Sequence, residues 1–360
     1  MKLLFTYYVP SGGVETLNRE RFHALKARGV ECHFLYQTSG SGLHNRPPEM
    51  PVFIADDHHA IQSVLDTGQY DAVIVTSNYF MLERIQLCGF RKPVIFECQG
   101  LGTIEQAIGL LLEALPYVHT CCQAVLFPKT KHMRQLFDSI YPHIRQFSFH
   151  NVLHTNAFSY RPHPHQHKQD PIIGWVGRFE KNKNWRSFLR MAKRWAELEP
   201  NLTFWIYADH DLYEAGEKEA FLNFINANSL ASRIVMHPPV PHREMADHYS
   251  QIGDSGGFLC STSYTEGFGY ALLEAMSCRC PVLSSNSDGP TSFIHHNITG
   301  KLYPVQNETK GIREGIELMH NHSLREKLRK RGQAYVRQHF SPAAYAENFI
   351  QMLSELGVQV

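Results

Sequence analysis

Short continuous apolar runs alternate along this chain with stretches in which apolar side chains return every third or fourth position. Lys2 to Val9 is the first run. Pro10-Ser11-Gly12-Gly13 breaks it, and Val14, Leu17, Phe22 and Leu25 then share one side of a helix over 14–28 that Gly29 ends. Glu31 to Tyr36 is the next run, and others recur at 71–76, 93–98, 122–127, 171–177, 202–208, 234–240, 256–261 and 281–285. Such runs, apolar on both faces, predict strands of a parallel sheet covered by helices on both sides. Helices are predicted at 103–115, 129–137, from 212 or 213, at 242–251, at 270–276 and through 309–357, where Ser341-Pro342 reads as a cap followed by a first-turn proline. Strand–glycine loop–helix–strand at the start is the opening of a doubly wound α/β sheet. The polar, proline-broken stretch Arg161-Pro162-His163-Pro164-His165-Gln166-His167 predicts an interdomain linker. It sets off domains over 1–163 and 171–340, with a last helix over 341–360.

At 360 residues the chain is long enough for two domains with their own cores. A formal net charge of +1 gives no bulk electrostatic case for nucleic acid. None of the eight cysteines falls in a C-x-x-C spacing, and Cys121-Cys122 and Cys278-x-Cys280 are too close to staple a fold. They read as reduced thiols packing as small hydrophobes, which points to the cytoplasm. The apolar N-terminus is short and lacks a basic region and cleavage site, so it reads as a strand and not a signal peptide. No apolar run approaches the ~20 residues of a membrane span. The helix at 103–115 has a broad apolar face (Ile104, Ala107, Ile108, Leu111, Leu112, Leu115), expected as core, with a peripheral membrane or docking face as the other reading. Lys129, Lys131, His132 and Arg134 on the next helix read as a solvated face, with acidic lipid as the alternative partner. The alternating histidines of the linker lack a fourth ligand, and Asp209-His210-Asp211 reads as a helix cap, so no metal is expected. G-x-G-x-x-G is absent, which argues against a classical dehydrogenase.

The chemistry concentrates in Thr265-Glu266-Gly267-Phe268-Gly269-Tyr270-Ala271-Leu272-Leu273-Glu274. Gly267 and Gly269 leave backbone amides open to a close visitor, and the helix start at Tyr270 attracts anions, phosphate especially. Glu266 before the break and Glu274 one turn into the helix can accept hydrogen bonds from sugar hydroxyls. Upstream, the glycine-bearing strand Ile172 to Gly177 runs into Arg178, with Lys183 five residues on. Two cations so placed can converge on one diphosphate, each sheltered contact being worth ~1.5–3 kcal/mol.

Glu266 and Glu274, with Gly267-Phe268-Gly269 between them, resemble the paired-glutamate motif of retaining GT-B glycosyltransferases of family 4, and Arg178 with Lys183 matches that family's diphosphate clamp in type and spacing. The resemblance implies two Rossmann-like domains with a cleft between them and a C-terminal helix crossing back to the first. It implies transfer of a hexose-type sugar, with retention, from a nucleotide-diphosphate sugar of the UDP or GDP type to a hydroxyl acceptor. That acceptor would be a glycan, a lipid-linked acceptor or a small molecule, and the setting surface-glycan or glycoconjugate synthesis. No metal or other cofactor is implied. Arg178 and Lys183 would stabilise the leaving diphosphate, Glu266 would orient the hexose, and Glu274 would hold the ribose. Gly267, Phe268, Gly269 and Tyr270 would line the donor. Gly12 and Gly13 resemble the glycine loop placed beside the donor phosphates, Val240 lies where relatives border the nucleotide base, and Thr299 to Leu302 resembles the closing hairpin. The chain departs from the pattern twice. Gln99 stands where relatives often carry a histidine near the reacting sugar, so a sugar or acceptor contact survives there but an acid–base role does not. Arg279 stands where glycine is usual. The location implied is cytoplasmic or peripheral to the inner face of the membrane. Two other readings stand beside this one: a sugar-nucleotide epimerase of the same fold, and a non-catalytic nucleotide-sugar or glycan-binding protein.

Overall fold

The structure, a computed structural model, describes residues 1–99, 104–162, 170–208 and 213–359. The chain divides into two compact units, Met1–His154 with Phe340–Val360, and Thr155–His339.

The first unit is built on strands β1 (Lys2–Tyr7), β2 (Glu31–Tyr36), β3 (Val52–Ile54), β4 (Ala72–Thr76), β5 (Val94–Glu97), β6 (Ala124–Pro128) and β7 (Arg145–Phe149). They form one parallel sheet in the order β3-β2-β1-β4-β5-β6-β7. The intervening helices are α1 (Gly12–Lys26), α2 (His58–Gly68), α3 (Tyr79–Leu87), α4 (Ile104–Cys121) and α5 (Lys131–Ile140). Alternate side chains of β1 enter opposite cores, which is why the strand is apolar throughout. Leu4 packs with Val73, Val75 and Phe96. Leu3 and Phe5 pack on the other face with Leu17, Phe22 and Leu25 of α1. Two elements missing from the apolar-run pattern, β3 and β7, are edge strands with half-exposed side chains. Without two buried faces their sequence carries no continuous run.

α4 continues past the expected end at Leu115, through Pro116, to Cys121. Its apolar face splits: Ala107, Leu111, Ala114 and Val118 are buried, while Ile108 and Leu112 are exposed. Among the described residues, no helix is long and apolar enough to cross a membrane. All eight cysteines are free and buried.

The second unit holds β8 (Ile172–Val176), β9 (Thr203–Tyr207), β10 (Ile234–His237), β11 (Phe258–Ser261), β12 (Val282–Ser285) and β13 (Lys301–Tyr303). Their order is β10-β9-β8-β11-β12-β13, again all parallel. Its helices are α6 (Trp185–Leu198), α7 (Glu217–Ala227), α8 (Met245–Asp254), α9 (Tyr270–Ser277), α10 (Asp288–Thr291), α11 (Glu308–His320) and α12 (His322–His339). Trp175, Trp185 and Trp195 are buried in its core. The segment expected as a hairpin at 299–302 instead supplies β13, a parallel edge strand beside β12. The helix expected from Leu212 or Tyr213 begins at Glu217, because Tyr213 is bridged to Phe179 and the left-handed Gly216 precedes the first turn. Asp209, His210 and Asp211 lie outside the described residues, as do His163, His165 and His167 of the expected linker. The chain enters this unit earlier: the Tyr160 hydroxyl donates to Asp254 at 3.1 Å.

The final helix, α13 (Pro342–Glu355), belongs to the first unit. Ser341 caps it, accepting from the Ala344 amide at 3.3 Å. Phe349, Met352 and Leu353 complete the core that Leu3 and Phe5 begin.

In both sheets the strand order reverses at one place, between β1 and β4 and between β8 and β11. Open α/β sheets bind ligands outside the carboxyl ends of the strands at such a reversal, where the flanking loops diverge to opposite faces.

Candidate active site

At the reversal of the second sheet, the loop after β8 carries Arg178 and Lys183, and the loop after β11 carries Glu266. Hydrogen bonds to backbone carbonyls splice the two loops. Thr262 Oγ1 donates to the Lys183 carbonyl at 2.9 Å, and the Tyr264 amide donates to the Asn182 carbonyl at 2.9 Å. The splice brings Lys183 Nζ to 2.7 Å from Glu266 Oε2. Both side chains are about one-fifth exposed, at 21% and 20%. Ser263 Oγ donates to the same carboxylate oxygen at 3.2 Å, and Ser285 Oγ donates to the Ser263 carbonyl at 2.7 Å. Arg178 is 56% exposed and rests 3.0 Å from Glu180 Oε2. With the guanidinium itself open to solvent, the pair is weak, on the order of 1 kcal/mol, so a doubly charged phosphate can displace Glu180.

Gly267 and Phe268 lead into α9, whose N-cap Gly269 has φ +91°, a left-handed conformation that favours glycine. Its carbonyl accepts from the amides of Leu272 and Leu273. Phe268 is buried, edge-on to Tyr270 and Phe293. Gly289 closes the loop from behind: its amide donates to the Glu266 carbonyl at 2.8 Å. A Cβ on Gly289 would meet backbone atoms of Glu266, Gly267 and Phe268 at 2.5–2.8 Å. Gly289→Ala is therefore expected to displace the Glu266 loop, lowering Tm by several degrees and weakening nucleoside diphosphate binding. Thermal melting and calorimetry of the variant check this, and unchanged binding would show that the loop tolerates the push.

Glu274 is buried on α9 with two internal donors. Tyr249 Oη donates to Oε2 at 3.1 Å, and His242 Nε2 lies 3.0 Å from Oε1. Burial, and then the Glu274 charge, push the Tyr249 phenol well above its usual range, so it stays protonated as a donor. A carboxylate has about four lone-pair sites, so two acceptor positions remain for a ligand hydroxyl. Val240 is half-buried in the proline-rich loop after β10, immediately before the turn that presents His242. His242, Tyr249, Ser263 and Gly289 carry no motif signal; Ser263 is three residues from Glu266, and the fold brings the other three to the two glutamates.

In the first unit, Gly12 and Gly13 start α1 at the end of β1, and a Cβ on either would meet nothing within 4 Å. Gln99, just past β5, is engaged internally. Its Nε2 donates to Glu97 Oε1 at 3.0 Å and to Asn151 Oδ1 at 3.2 Å, and its Oε1 accepts from Asn151 Nδ2 at 2.7 Å. Glu97 is itself buried beneath a bidentate pair from Arg21 at 2.8 and 2.9 Å and a bond from Thr76 at 2.7 Å. Arg279 has φ +59° just beyond the C-terminus of α9, which explains why glycine suits that position. Its guanidinium lies over the Tyr160 ring, 4.8 Å from the centroid. Its departure from the pattern thus concerns the far end of α9, away from Gly269 and Glu266.

Two doubly wound parallel sheets, with the last helix returned to the first, form the GT-B fold. Sucrose-phosphate synthase from Thermosynechococcus elongatus shares it, with a TM-score of 0.81 over 99% of each chain at 16% identity. So does HepE from Anabaena, solved in complex with UDP-glucose, with a TM-score of 0.80 over 99% of this chain and 100% of that one at 15% identity. Residues 159–335, all within the second unit, match the family described as Glycosyl transferases group 1. Among curated relatives, 2-deoxystreptamine N-acetyl-D-glucosaminyltransferase of Niallia circulans is 26% identical over 182 residues, covering 50% of this chain and 44% of the relative. The matches span less than half the length of the first of these curated relatives.

Proposed function

We propose that the chain is a retaining glycosyltransferase that moves a hexose-type sugar from a UDP- or GDP-linked donor to a hydroxyl acceptor, in surface-glycan or glycoconjugate synthesis. The observation that carries this reading is the pairing of Lys183 with Glu266 at the reversal of the second sheet, beside the start of α9. The group 1 match over the same unit supports it. The donor's diphosphate would take up Arg178 and Lys183, with amides at Gly267 to Tyr270 assisting. As the bond from the anomeric carbon to the phosphate oxygen lengthens, negative charge grows on the diphosphate and positive character on the sugar ring. Prepositioned cations stabilise the first, and the Glu266 carboxylate beside the hexose stabilises the second. Glu274, through its remaining acceptor positions, would hold ribose hydroxyls. The leaving phosphate would receive the acceptor's proton as the new bond forms on the same face, giving retention. Following the anomeric proton of the product by NMR tests the stereochemistry: retention is expected, and an inverted product would overturn this mechanism.

The same arrangement makes a divalent ion unnecessary, because Arg178 and Lys183 neutralise the leaving group. Turnover in excess chelator is expected to equal turnover without it. Loss of activity on chelation, restored by Mn²⁺ or Mg²⁺, would overturn that expectation.

A further inference from the structure

We propose that Asn182 is a positioning residue that sets the distance between Lys183 and Glu266, an inference that rests on the glycosyltransferase reading above. Asn182 has neither the charge nor the motif spacing of a clamp residue, and it is exposed. Its side chain nonetheless makes a two-way bridge to the backbone of the opposite loop. Nδ2 donates to the Thr265 carbonyl at 3.0 Å, and Oδ1 accepts from the Thr265 amide at 3.1 Å. A third bond, from the Tyr264 amide to the Asn182 carbonyl at 2.9 Å, fixes the same pair of segments. Asn182 directly precedes Lys183, and Thr265 directly precedes Glu266. The bridge therefore ties together the two positions adjacent to the paired charges without using either charge.

This matters because the loops leave neighbouring strands that are distant in sequence, and beyond the strand ends no ladder holds them in register. The Lys183–Glu266 ion pair cannot perform that task during reaction, because a bound diphosphate competes for Lys183. A carboxamide can, since its bonds to Thr265 persist whatever Lys183 is doing. Asparagine is also the side chain whose donor and acceptor match one residue's amide and carbonyl at this reach. Glutamine carries the same groups one methylene farther out. Aspartate would set an acceptor against the Thr265 carbonyl.

A misplaced cation and carboxylate cost most where charge develops, so the loss should fall on kcat more than on KM. The test compares wild-type, Asn182→Ala and Asn182→Gln full-length protein by steady-state kinetics with a verified donor, alongside thermal melting. Asn182→Ala is expected to lower kcat about tenfold or more, with a smaller change in KM. Asn182→Gln should fall between it and wild type. Tm should move little, because the residue is exposed and buries no core. Wild-type kcat in Asn182→Ala would overturn the inference while leaving the glycosyltransferase reading intact. So would a loss confined to Tm. If Asn182→Ala does not fold, Asn182→Gln decides: wild-type kcat in that variant overturns the inference. Absence of turnover by the wild-type protein on any donor removes both together.

Discussion

Replacing Lys183 with alanine is expected to lower turnover by about a hundredfold or more, the loss seen when one prepositioned donor to a developing negative charge is removed. The effect should exceed that of Arg178→Ala, and the structure gives the reason. Lys183 is only 21% exposed and is held from behind by Thr262 on its carbonyl, whereas Arg178 is 56% exposed and therefore more strongly screened. Removing Lys183 has a second consequence. It leaves the Glu266 carboxylate with Ser263 alone among its described side-chain partners, so an uncompensated negative charge remains beside the leaving diphosphate. The fold should survive, because the loop splice through Tyr264 and Thr265 does not involve the lysine side chain. Kinetics with a verified donor check this, and wild-type turnover in Lys183→Ala would remove Lys183 from the mechanism.

The two glutamates should fail in different ways. Glu266 is proposed to face the hexose, which gains positive character only as the bond breaks. Glu266→Gln should spare binding of free nucleoside diphosphate and lower kcat. Glu274 is proposed to hold ribose hydroxyls, whose charge does not change, so Glu274→Gln should weaken nucleotide and donor alike and raise KM. The structure adds a stability effect at Glu274 alone. Its carboxylate is buried with Tyr249 donating to one oxygen and His242 beside the other. A glutamine there keeps one acceptor and turns an NH₂ toward a partner, so stability should fall as well, by the ~1–3 kcal/mol of a mismatched buried polar group, read as a lower Tm. Calorimetry with the nucleoside diphosphate separates the two. If Glu266→Gln loses nucleotide affinity and Glu274→Gln retains it, the assignments are reversed.

The central strands were legible in the sequence because burial on both faces writes a continuous apolar run, as in Lys2–Tyr7 and Ile172–Val176. The edges were not. Val52–Ile54 and Arg145–Phe149 are half-exposed and mix polar with apolar residues. Helix α6 is a different case: Trp185, Phe188, Leu189 and Ala192 recur at helical spacing, a pattern that a strand-centred reading passes over. At the site, the residue types after β8 and β11 point to phosphate and sugar, but not to which atoms meet. Lys183 and Glu266 come together because β8 and β11 are neighbours though far apart in sequence, a fact of strand order and not of local pattern. The same holds for Tyr249 and His242 on Glu274. Gln99 shows the converse: its identity was readable, but its internal engagement by Glu97 and Asn151 was not.

The most direct measurement is release of nucleoside diphosphate from a panel of UDP-, GDP- and ADP-sugars, with and without hydroxyl acceptors, by wild-type protein and Lys183→Ala in parallel. Acceptor-stimulated release from at least one UDP- or GDP-sugar by the wild-type protein, strongly reduced in the variant, is the predicted result. No release from any donor, or equal release by the two proteins, would contradict the assignment of this site as the place where a sugar is transferred.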